Sequence, residues 1–308
     1  MSPVRGDYPP VREAYPQERV KNMKIIFKKL AECTIQDIIS AWNRGFEGYF
    51  VQIDMNPELF FNRLVNEGLS LMHSIVAFEG EEPVAIVLNG FRVVDGKKTA
   101  WNGGTGIETS CRGSGVSKQL MEEILKIYSE ERVEIATLEA IKENERAIRL
   151  YEKFGYVRTD TLVYASGILD IKNIVPLSTK SLRPEQLPTL PFYKANVPWQ
   201  CQWQSVKSGE AQIYYDENQN PLGYSLFKRT WNQHGQLEKV FLFQLELFKE
   251  VSEESLKSVF TSISGDQNTP VNVMTINASL SNPVIRFLLD NGFQIKTEQV
   301  QMVKKFNQ

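Results

Sequence analysis

Residues 105–125, TGIETSCRGSGVSKQLMEEIL, join a strand-like lead-in, a turn with two glycines and an amphipathic helix. The first amides of a helix have no intrahelical partner, and the helix dipole favours negative charge beside them. Glycines in the turn let a ligand approach the main chain, and the preceding arginine adds a positive charge. This arrangement predicts an anion-binding turn suited to a pyrophosphate, formed by Arg112, Gly113, Ser114, Gly115, Val116 and Ser117.

Other interpretations of this turn stay open on its own sequence. It contains neither GxxxxGK[ST] nor a complete GxGxxG pattern, which are the better-known phosphate-binding signatures. Six residues of this kind also occur at ordinary helix starts, so the turn alone does not establish a function.

Composition limits the classes of protein. The chain has 308 residues, 42% of them hydrophobic, a net charge of −2 and a pI near 5.9. Such a charge gives no broad cationic field for nucleic acid or acidic membranes. Three dispersed cysteines and two histidines favour neither a disulfide framework nor a metal site, and no apolar run is long enough to span a bilayer. These features predict a cytoplasmic protein with reduced thiols. A monomer or a homodimer is expected, and the sequence does not choose between them.

The chain alternates predicted strands and helices after a proline-rich, charged extension over residues 1–22. A strand near 24–30 precedes helices near 34–46 and 56–68, and residues 73–110 form three strands joined by turns at EGEEP and VDGKK. The quoted turn and its helix follow, and then come the strand VEIATLEA and the helix NERAIRLYEKFG. The order indicates a mixed α/β domain.

A second motif makes the function specific. LEAIKENERAIRLYEKFGY, residues 138–156, spaces Asn144, Ala147, Tyr151 and Gly155 along one helix. With this motif and the RGSGVS turn, the chain resembles the GNAT superfamily of acyl-CoA N-acyltransferases over about residues 24–165. Ser117 stands where the family places glycine or alanine, which is a minor departure. The resemblance implies an α/β (α+β) fold with a mixed, mostly antiparallel central sheet flanked by helices.

The resemblance also implies an activity and further site residues. It predicts acetyl-CoA as the acyl donor, no metal, and direct acetyl transfer to the amine of a small-molecule acceptor. The cofactor is expected to slot between two splayed strands beside a bulge, with Ile107 as a main-chain contact and Asn144 as a further contact. Tyr151 falls where the family places its general acid, although a core aromatic would also suit that helix face.

The general base is left open between two carboxylates, Glu108, expected at the bulge, and Glu139 on the following strand. Either would activate the amine through water, and either would also suit a solvated or hydrogen-bonded strand end. Cys111 beside the turn invites a nucleophile hypothesis. That hypothesis is disfavoured, because no histidine lies near it in sequence and direct transfer needs no covalent step.

Two alternative functions stay open. A non-catalytic CoA-binding module would keep the turn but would not need Tyr151. A protein or peptide acetyltransferase, acting on lysines or N-termini, would share every motif above. The aromatic residues of the segment expected to roof the acceptor site indicate either a moderately apolar pocket or core: Phe46, Tyr49, Phe50 and Phe60.

The C-terminal half is predicted to be a second, silent copy of the fold. A shift of 137 residues places IRLYEKFGY on IRFLLDNGF and EIATLEA on VNVMTIN, and one further insertion aligns the hairpins around residues 83 and 221. Leu288 stands at the Tyr151 position, and KEVSEE (249–254) replaces RGSGVS with three glutamates. The predicted domains are therefore an extension (1–22), a catalytic GNAT domain (23–166) and a degenerate GNAT-like domain (167–308), which walls one side of the acceptor cleft.

Overall fold

The computed structural model describes residues 24–50, 54–265 and 269–306, so the predicted extension 1–22 lies outside the described residues. Its helices are α1 (Ile35–Phe46), α2 (Pro57–Glu67), α3 (Val116–Glu130), α4 (Glu145–Lys153), α5 (Glu253–Ser264) and α6 (Pro283–Asp290). Its strands are β1 (Ile25–Lys29), β2 (Ile75–Glu79), β3 (Glu82–Val94), β4 (Lys97–Ile107), β5 (Ile135–Ile141), β6 (Val157–Leu169), β7 (Ser178–Leu182), β8 (Glu210–Tyr215), β9 (Pro221–Trp231), β10 (Leu237–Leu247), β11 (Val271–Thr275), β12 (Ala278–Ser279) and β13 (Gln294–Lys305).

The strands form one continuous sheet in the order β1-β2-β3-β4-β5-β13-β6-β11-β10-β9-β8-β7, with β12 paired to β6. Among the strands of the described residues, only the β4–β5 and β10–β11 pairs are parallel. A parallel pair needs a crossover connection, and α3 and α5 supply it in the two halves. The predicted mixed, mostly antiparallel sheet flanked by helices is confirmed.

The two halves repeat the same element order. Strands β1 to β5 with α3 and α4 correspond to β7 to β11 with α5 and α6. The second half has no counterpart of α1 and α2 in its described residues. Short 3-10 helices over Pro184–Thr189, Trp199–Cys201 and Trp203–Ser205 occupy that part of the chain instead. This agrees with the proline content of that segment, because proline interrupts a helix interior.

The halves exchange their last strands. Strand β6 follows α4 of the first half but pairs with β11 of the second, and β13 follows α6 of the second half but pairs with β5 of the first. The two exchanged strands also pair with each other at the centre of the sheet. The predicted division between residues 166 and 167 thus lies inside β6, and the domain limits remain a prediction.

Alternation along the first-half strands builds a core on each face of the sheet. Ala85 and Val87 of β3 pack with α3 and α4, whereas Ile86 and Leu88 pack with α1 and α2. Period-two alternation of this kind lets one strand serve two cores. The sheet therefore separates an α3/α4 side from an α1/α2 side.

Residues at their ends cap the two helices on the α1/α2 side. Thr34 caps α1 and exchanges hydrogen bonds with Asp37, while Asn56 caps α2 ahead of Pro57. Gly68 ends α2 in the left-handed conformation, at φ 64°. Asn43 then joins the two helices, because its amide accepts from the Met55 N–H at 2.7 Å and donates to the Met55 carbonyl at 3.1 Å.

Candidate active site

A gap opens where β4 and β5 separate. Their parallel ladder runs from Thr99–Ile135 to Asn102–Leu138 and ends there. Gly103 forms a bulge on β4, since Leu88 pairs with Gly104 while the adjacent Asn89 pairs with Asn102. The strands therefore separate beside a bulge, but the bulge is at Gly103, four residues ahead of Ile107, and not at Glu108 as predicted. A cavity of about 520 Å³ occupies the gap.

Tyr151 reaches this cavity from the α3/α4 side. It lies on α4, is 8% exposed and belongs to the core that α3 and α4 share with the sheet. Burial raises the pKa of the Tyr151 phenol to about 12, and a hydrogen bond with the Thr105 side chain offsets part of that rise. The phenol is protonated at neutral pH and can donate its proton.

Glu139 reaches the cavity from the α1/α2 side. Its neighbours Leu138 and Ala140 face the α3/α4 core, so strand alternation points Glu139 the other way, where Trp101 Nε1 donates to its Oε2 at 2.7 Å. Burial raises the pKa of the Glu139 carboxyl to about 7. Its Oε1 is shielded from solvent and has no hydrogen-bond partner among the described residues. A carboxyl whose pKa lies near neutrality suits a general base.

The start of α3 presents unpaired amides. Gly115 is the N-cap residue at φ 98° and supplies no side-chain cap, and the N–H groups of Val116 and Ser117 have no partner among the described residues. A Cβ added at Gly115 would meet no atom within 4 Å. The turn is open to a ligand, and the amides there fit the phosphate groups of a CoA molecule.

Residues 35–156 match the family model of the acetyltransferase (GNAT) family. This segment is a GNAT acetyltransferase domain. The chain is accordingly an acyltransferase, and GNAT acetyltransferases use acetyl-CoA. No curated protein sequence matches the chain significantly.

Solved structures resemble the chain over nearly its whole described length. A GCN5-related N-acetyltransferase from Anabaena variabilis is 16% identical, with a TM-score of 0.56 over 92% of this chain and 73% of its own. One from Sphaerobacter thermophilus is 14% identical, with a TM-score of 0.58 over 91% and 95%. A tandem GNAT protein from the clavulanic acid biosynthesis pathway is 12% identical, with a TM-score of 0.58 over 92% and 98%. These likenesses establish the fold, and the tandem GNAT architecture is confirmed.

The guanidinium of Arg112 in the GNAT domain is engaged by main-chain carbonyls and is not free to bind an anion at the turn. It donates to the main-chain carbonyls of Ile107 at 2.9 Å, Gly45 at 3.2 Å and Glu47 at 3.0 Å. Arg112 thereby fastens the end of α1 to the end of β4. A different cation lies beside the turn, since a Cβ added at Gly113 would be 3.3 Å from Arg146 Nη2. The sequence prediction did not include Arg146.

Glu108 lies outside the set of residues that line the cavity. It follows β4, accepts a hydrogen bond from the Ser110 hydroxyl at 3.0 Å and lies 3.6 Å from Arg44 Nη1. Its side chain is 25% exposed. The two carboxylates left open by the sequence are both half-buried, but Glu139 lines the cavity and has the raised pKa, so it is the better general-base candidate.

Asn144 lines the cavity as the N-cap of α4. Its Oδ1 accepts from the Ala147 N–H at 3.2 Å, and its Nδ2 donates to the Tyr49 hydroxyl at the same distance. Phe46 and Tyr49 also line the cavity. The other two aromatics of the predicted roof do not, because Phe60 is buried in the α1/α2 core and Phe50 is 57% exposed.

The second half supplies cavity residues that sequence reasoning did not find. They come from a 3-10 helix, from β11 and the turn after it, and from the exchanged strand β13, and they are Gln200, Met274, Asn277, Lys296, Thr297 and Gln299. The only sequence signal for them was the proposed repeat, which predicted a wall but not its residues. The strand exchange pairs one of them, Gln299, with Ile141 of β5.

The corresponding site of the second half is closed. Ser252 caps α5 by accepting from the Ser255 N–H, and Glu253 and Glu254 follow in the first turn. Phe243 is the bulge residue on β10 at the position of Gly103, and the cavity beside it measures about 70 Å³. Leu288, at the Tyr151 position, is fully buried. These features argue against acetyl transfer in the second half.

The environments of Cys111 and of the two histidines do not favour a catalytic role. Cys111 is buried and its thiol pKa is raised by burial, which disfavours a nucleophilic thiolate. His73 contacts Ser70 and Glu131, and His234 lies on the exposed β9–β10 turn. Among the described residues no cluster of His, Cys, Asp or Glu is arranged to hold a metal ion. Within the same ranges, no helix has the length and apolarity to cross a membrane.

Proposed function

We propose that the chain transfers the acetyl group of acetyl-CoA directly to the amine of a small molecule. The observation that carries this proposal is the β4–β5 gap, which holds a carboxyl with a pKa near 7 on one face of the sheet and a protonated phenol on the other. Burial sets the pKa values of this acid and this base apart, so that one group can accept the proton of the amine while the other donates a proton to the leaving group.

The acetyl-CoA site is assigned to the α3/α4 side. The amides of Val116 and Ser117 receive the pyrophosphate, with Arg146 as the neighbouring cation. The part of β4 beyond Asn102, which includes Ile107, has lost its ladder to β5 and has main-chain groups available to the pantetheine arm. Acetyl-CoA supplies an activated thioester carbonyl at the gap.

The transfer balances with these two residues. The amine nitrogen forms a bond to the acetyl carbon as the carbon–sulfur bond breaks. Glu139 takes the proton that the amine loses, directly or through water, and Tyr151 gives its proton to the departing CoA thiolate. The products are the N-acetylated amine and CoA, and proton exchange with solvent returns both side chains to their starting states.

The walls of the cavity favour a small acceptor over a protein tail. Helices α1 and α2 cover one side, and Gln200, Asn277 and Lys296 of the second half cover another. A lysine side chain held in a folded protein needs an open groove for its flanking residues. The second half occupies the space beside the cavity where such a groove would run.

Thiol release with acetyl-CoA over a panel of amines and peptides tests the proposal, with CoA affinity measured by calorimetry. We expect turnover with small amines and none with peptides. Turnover confined to peptides would instead identify a protein or peptide acetyltransferase. CoA binding without turnover on any acceptor would identify a non-catalytic CoA-binding module.

A further inference from the structure

The second half inserts one tryptophan into a core of the first half. Trp199, on the 3-10 helix Trp199–Cys201, is 2% exposed and belongs to the hydrophobic core that α1 and α2 share with the sheet. Every other member of that core among the described residues lies at or before Trp101 in the sequence. The indole of Trp199 is thus a contact that the second half makes inside the first.

Strand β3 provides a place shaped for this ring. A Cβ added at Gly90 would be 2.7 Å from Trp199 Cζ2, which is closer than side-chain carbons approach one another. The guanidinium of Arg92 lies 4.0 Å from the centre of the Trp199 ring, and it also donates to the Trp199 carbonyl at 3.3 Å. A cation over an aromatic face is attracted to it. Gly90 leaves room for the ring, and Arg92 holds it there.

The end of α2 holds the same indole by a hydrogen bond. Glu67 is the last residue of α2, so its carbonyl has no partner within the helix. That carbonyl accepts from Trp199 Nε1 at 2.7 Å and from Arg92 Nη2 at 3.0 Å. The polar atom of the indole is therefore paired, and the ring is fixed at its edge as well as on its face.

Trp199 stacks on Trp101 of β4. The two ring centres are 5.5 Å apart, and the ring planes are inclined by 10°. Trp101 pairs with Gly90 in the β3–β4 ladder, so the Trp199 ring fills space beside Trp101 that a side chain at position 90 would occupy. Trp101 also lies against the bulge, since a Cβ added at Gly103 would be 2.5 Å from Trp101 Cζ3. The bulge and Trp199 together confine the Trp101 ring.

Trp101 in turn holds Glu139 of β5. Its Nε1 donates to Glu139 Oε2 at 2.7 Å, and both residues line the cavity between β4 and β5. A hydrogen bond is strong only near its preferred distance and angle, so the position of the indole sets the position of the carboxyl. The bond also favours the ionised carboxylate, which limits the rise in the Glu139 pKa that desolvation causes.

We propose that Trp199 is a positioning residue for acetyl transfer, by which the second half sets, through the Trp199–Trp101 stack, the Glu139 carboxyl that accepts the proton of the amine. This inference rests on the proposed function. Trp199 does not itself line the cavity, so it acts through Trp101 and not on the substrate. The half whose own site is closed thereby takes part in the reaction of the other half.

Trp199→Leu removes the stack, and its kinetics test the proposal on the full chain. We expect kcat to fall by about 10- to 100-fold, because the base is displaced. The acidic limb of kcat/KM should move to higher pH, because the carboxylate is less well hydrogen-bonded. CoA affinity in calorimetry should stay within about threefold, because the cofactor site lies on the other face of the sheet.

Two further substitutions of tryptophan serve as controls. Trp199→Phe keeps an aromatic ring against Trp101, and we expect it to retain most of kcat and the native acidic limb. Trp203→Leu is the matched control for the loss of an indole from the same half. Trp203 lies on the next 3-10 helix, packs in a different core and does not line the cavity, so its replacement should leave the acidic limb in place.

The indole N–H of Trp101 reports the ionisation of Glu139 without any turnover. The chain has five tryptophans, so nitrogen-15 labelling of tryptophan gives one indole signal for each, and the signal missing in Trp101→Phe belongs to Trp101. We expect this signal to titrate with a midpoint near 7 in the unaltered chain and not to titrate in Glu139→Gln. In Trp199→Leu the midpoint should move to higher pH.

Gly90→Ala perturbs the same stack from the first half. The added methyl group displaces the Trp199 ring while residue 199 stays tryptophan, so we expect the Trp101 signal and the acidic limb to move in the same direction as in Trp199→Leu. If Trp199→Leu lacks a cooperative thermal transition, Gly90→Ala decides the proposal by the same criteria.

The outcomes separate this inference from the proposed function. A folded Trp199→Leu chain with the native kcat and acidic limb would overturn the inference and leave the acetyltransferase proposal standing. A loss of kcat with an unmoved Trp101 titration would also overturn it, since Trp199 would then be structural only. A moved titration in a chain that acetylates no amine would support the coupling of Trp199 to Glu139 and overturn the proposed function.

Discussion

Glu139 on β5 and Tyr151 on α4 lie on opposite faces of the sheet and meet the same cavity at the gap between β4 and β5. The sheet itself keeps the two apart, because adjacent residues of a strand point to opposite faces. An amine entering from the α1/α2 side and a thioester held on the α3/α4 side would meet at this gap. The catalytic predictions below depend on this arrangement.

Replacing Tyr151 with phenylalanine removes the proposed proton donor and keeps the ring. We expect kcat to fall by roughly one to three orders of magnitude while acetyl-CoA affinity stays within a few fold. Tyr156→Phe is the matched control, because Tyr156 is also buried, its ring centre lies 5.9 Å from that of Tyr151, and its hydroxyl has no partner in the described residues. An unchanged kcat in Tyr151→Phe would remove the assignment.

The pH dependence of kcat/KM tests Glu139. A base must be deprotonated to act, and the pKa of Glu139 in the folded state is about 7. We therefore expect kcat/KM to rise as the pH increases through about 7 and to fall as the pH decreases below it, which gives the profile an acidic limb. Glu139→Gln should lower kcat/KM by roughly 10²- to 10⁴-fold and abolish the limb. Glu108→Gln discriminates the other candidate. Loss of the limb in Glu108→Gln with its retention in Glu139→Gln would reverse the assignment.

Gly115→Asp tests the turn at the start of α3. The new carboxylate would lie where a pyrophosphate approaches and would repel it, so we expect CoA binding to fall below detection in calorimetry. No atom lies within 4 Å of the added Cβ, but a side chain is strained at the positive φ of 98°, so the thermal transition of the variant is measured alongside CoA binding. Gly235→Asp is the matched control, since Gly235 also has positive φ and open space but lies on a hairpin of the second half. Equal CoA affinity in both variants would contradict the proposed site.

Removing β13 tests the strand exchange. A chain ending at residue 293 loses the partner of β5 and of β6, which breaks the sheet at its centre. We expect this chain to lose the cooperative thermal transition followed by circular dichroism, and to lose CoA binding although every predicted CoA contact is still present. A truncated chain that unfolds cooperatively and binds CoA would show that the first half is stable without the exchanged strand.

Local signals in the sequence determined much of the first half. The caps Thr34 and Asn56, the glycines of the α3 turn and the spacing of Asn144 and Tyr151 each act within a few residues, so they are legible without a structure. The 137-residue repeat likewise indicated the second copy and its missing tyrosine. These features sufficed for the fold class and for the family.

Tertiary structure decided which residues share the cavity. Glu108 and Glu139 are both strand-end carboxylates in the sequence and both are half-buried in the fold, and only packing desolvates the Glu139 carboxyl enough to raise its pKa to about 7. Tertiary structure also decided which arginine has its charge available at the turn. The fold places main-chain carbonyls of Ile107 and Gly45 against the Arg112 guanidinium, which donates to them. Gln299 reaches the site because β13 crosses to the first half, and Asn277 reaches it from the turn between β11 and β12. The last strand of each half could pair within its own half or with the other half, and the two strand edges are similar. No local pattern in the sequence distinguishes these two pairings.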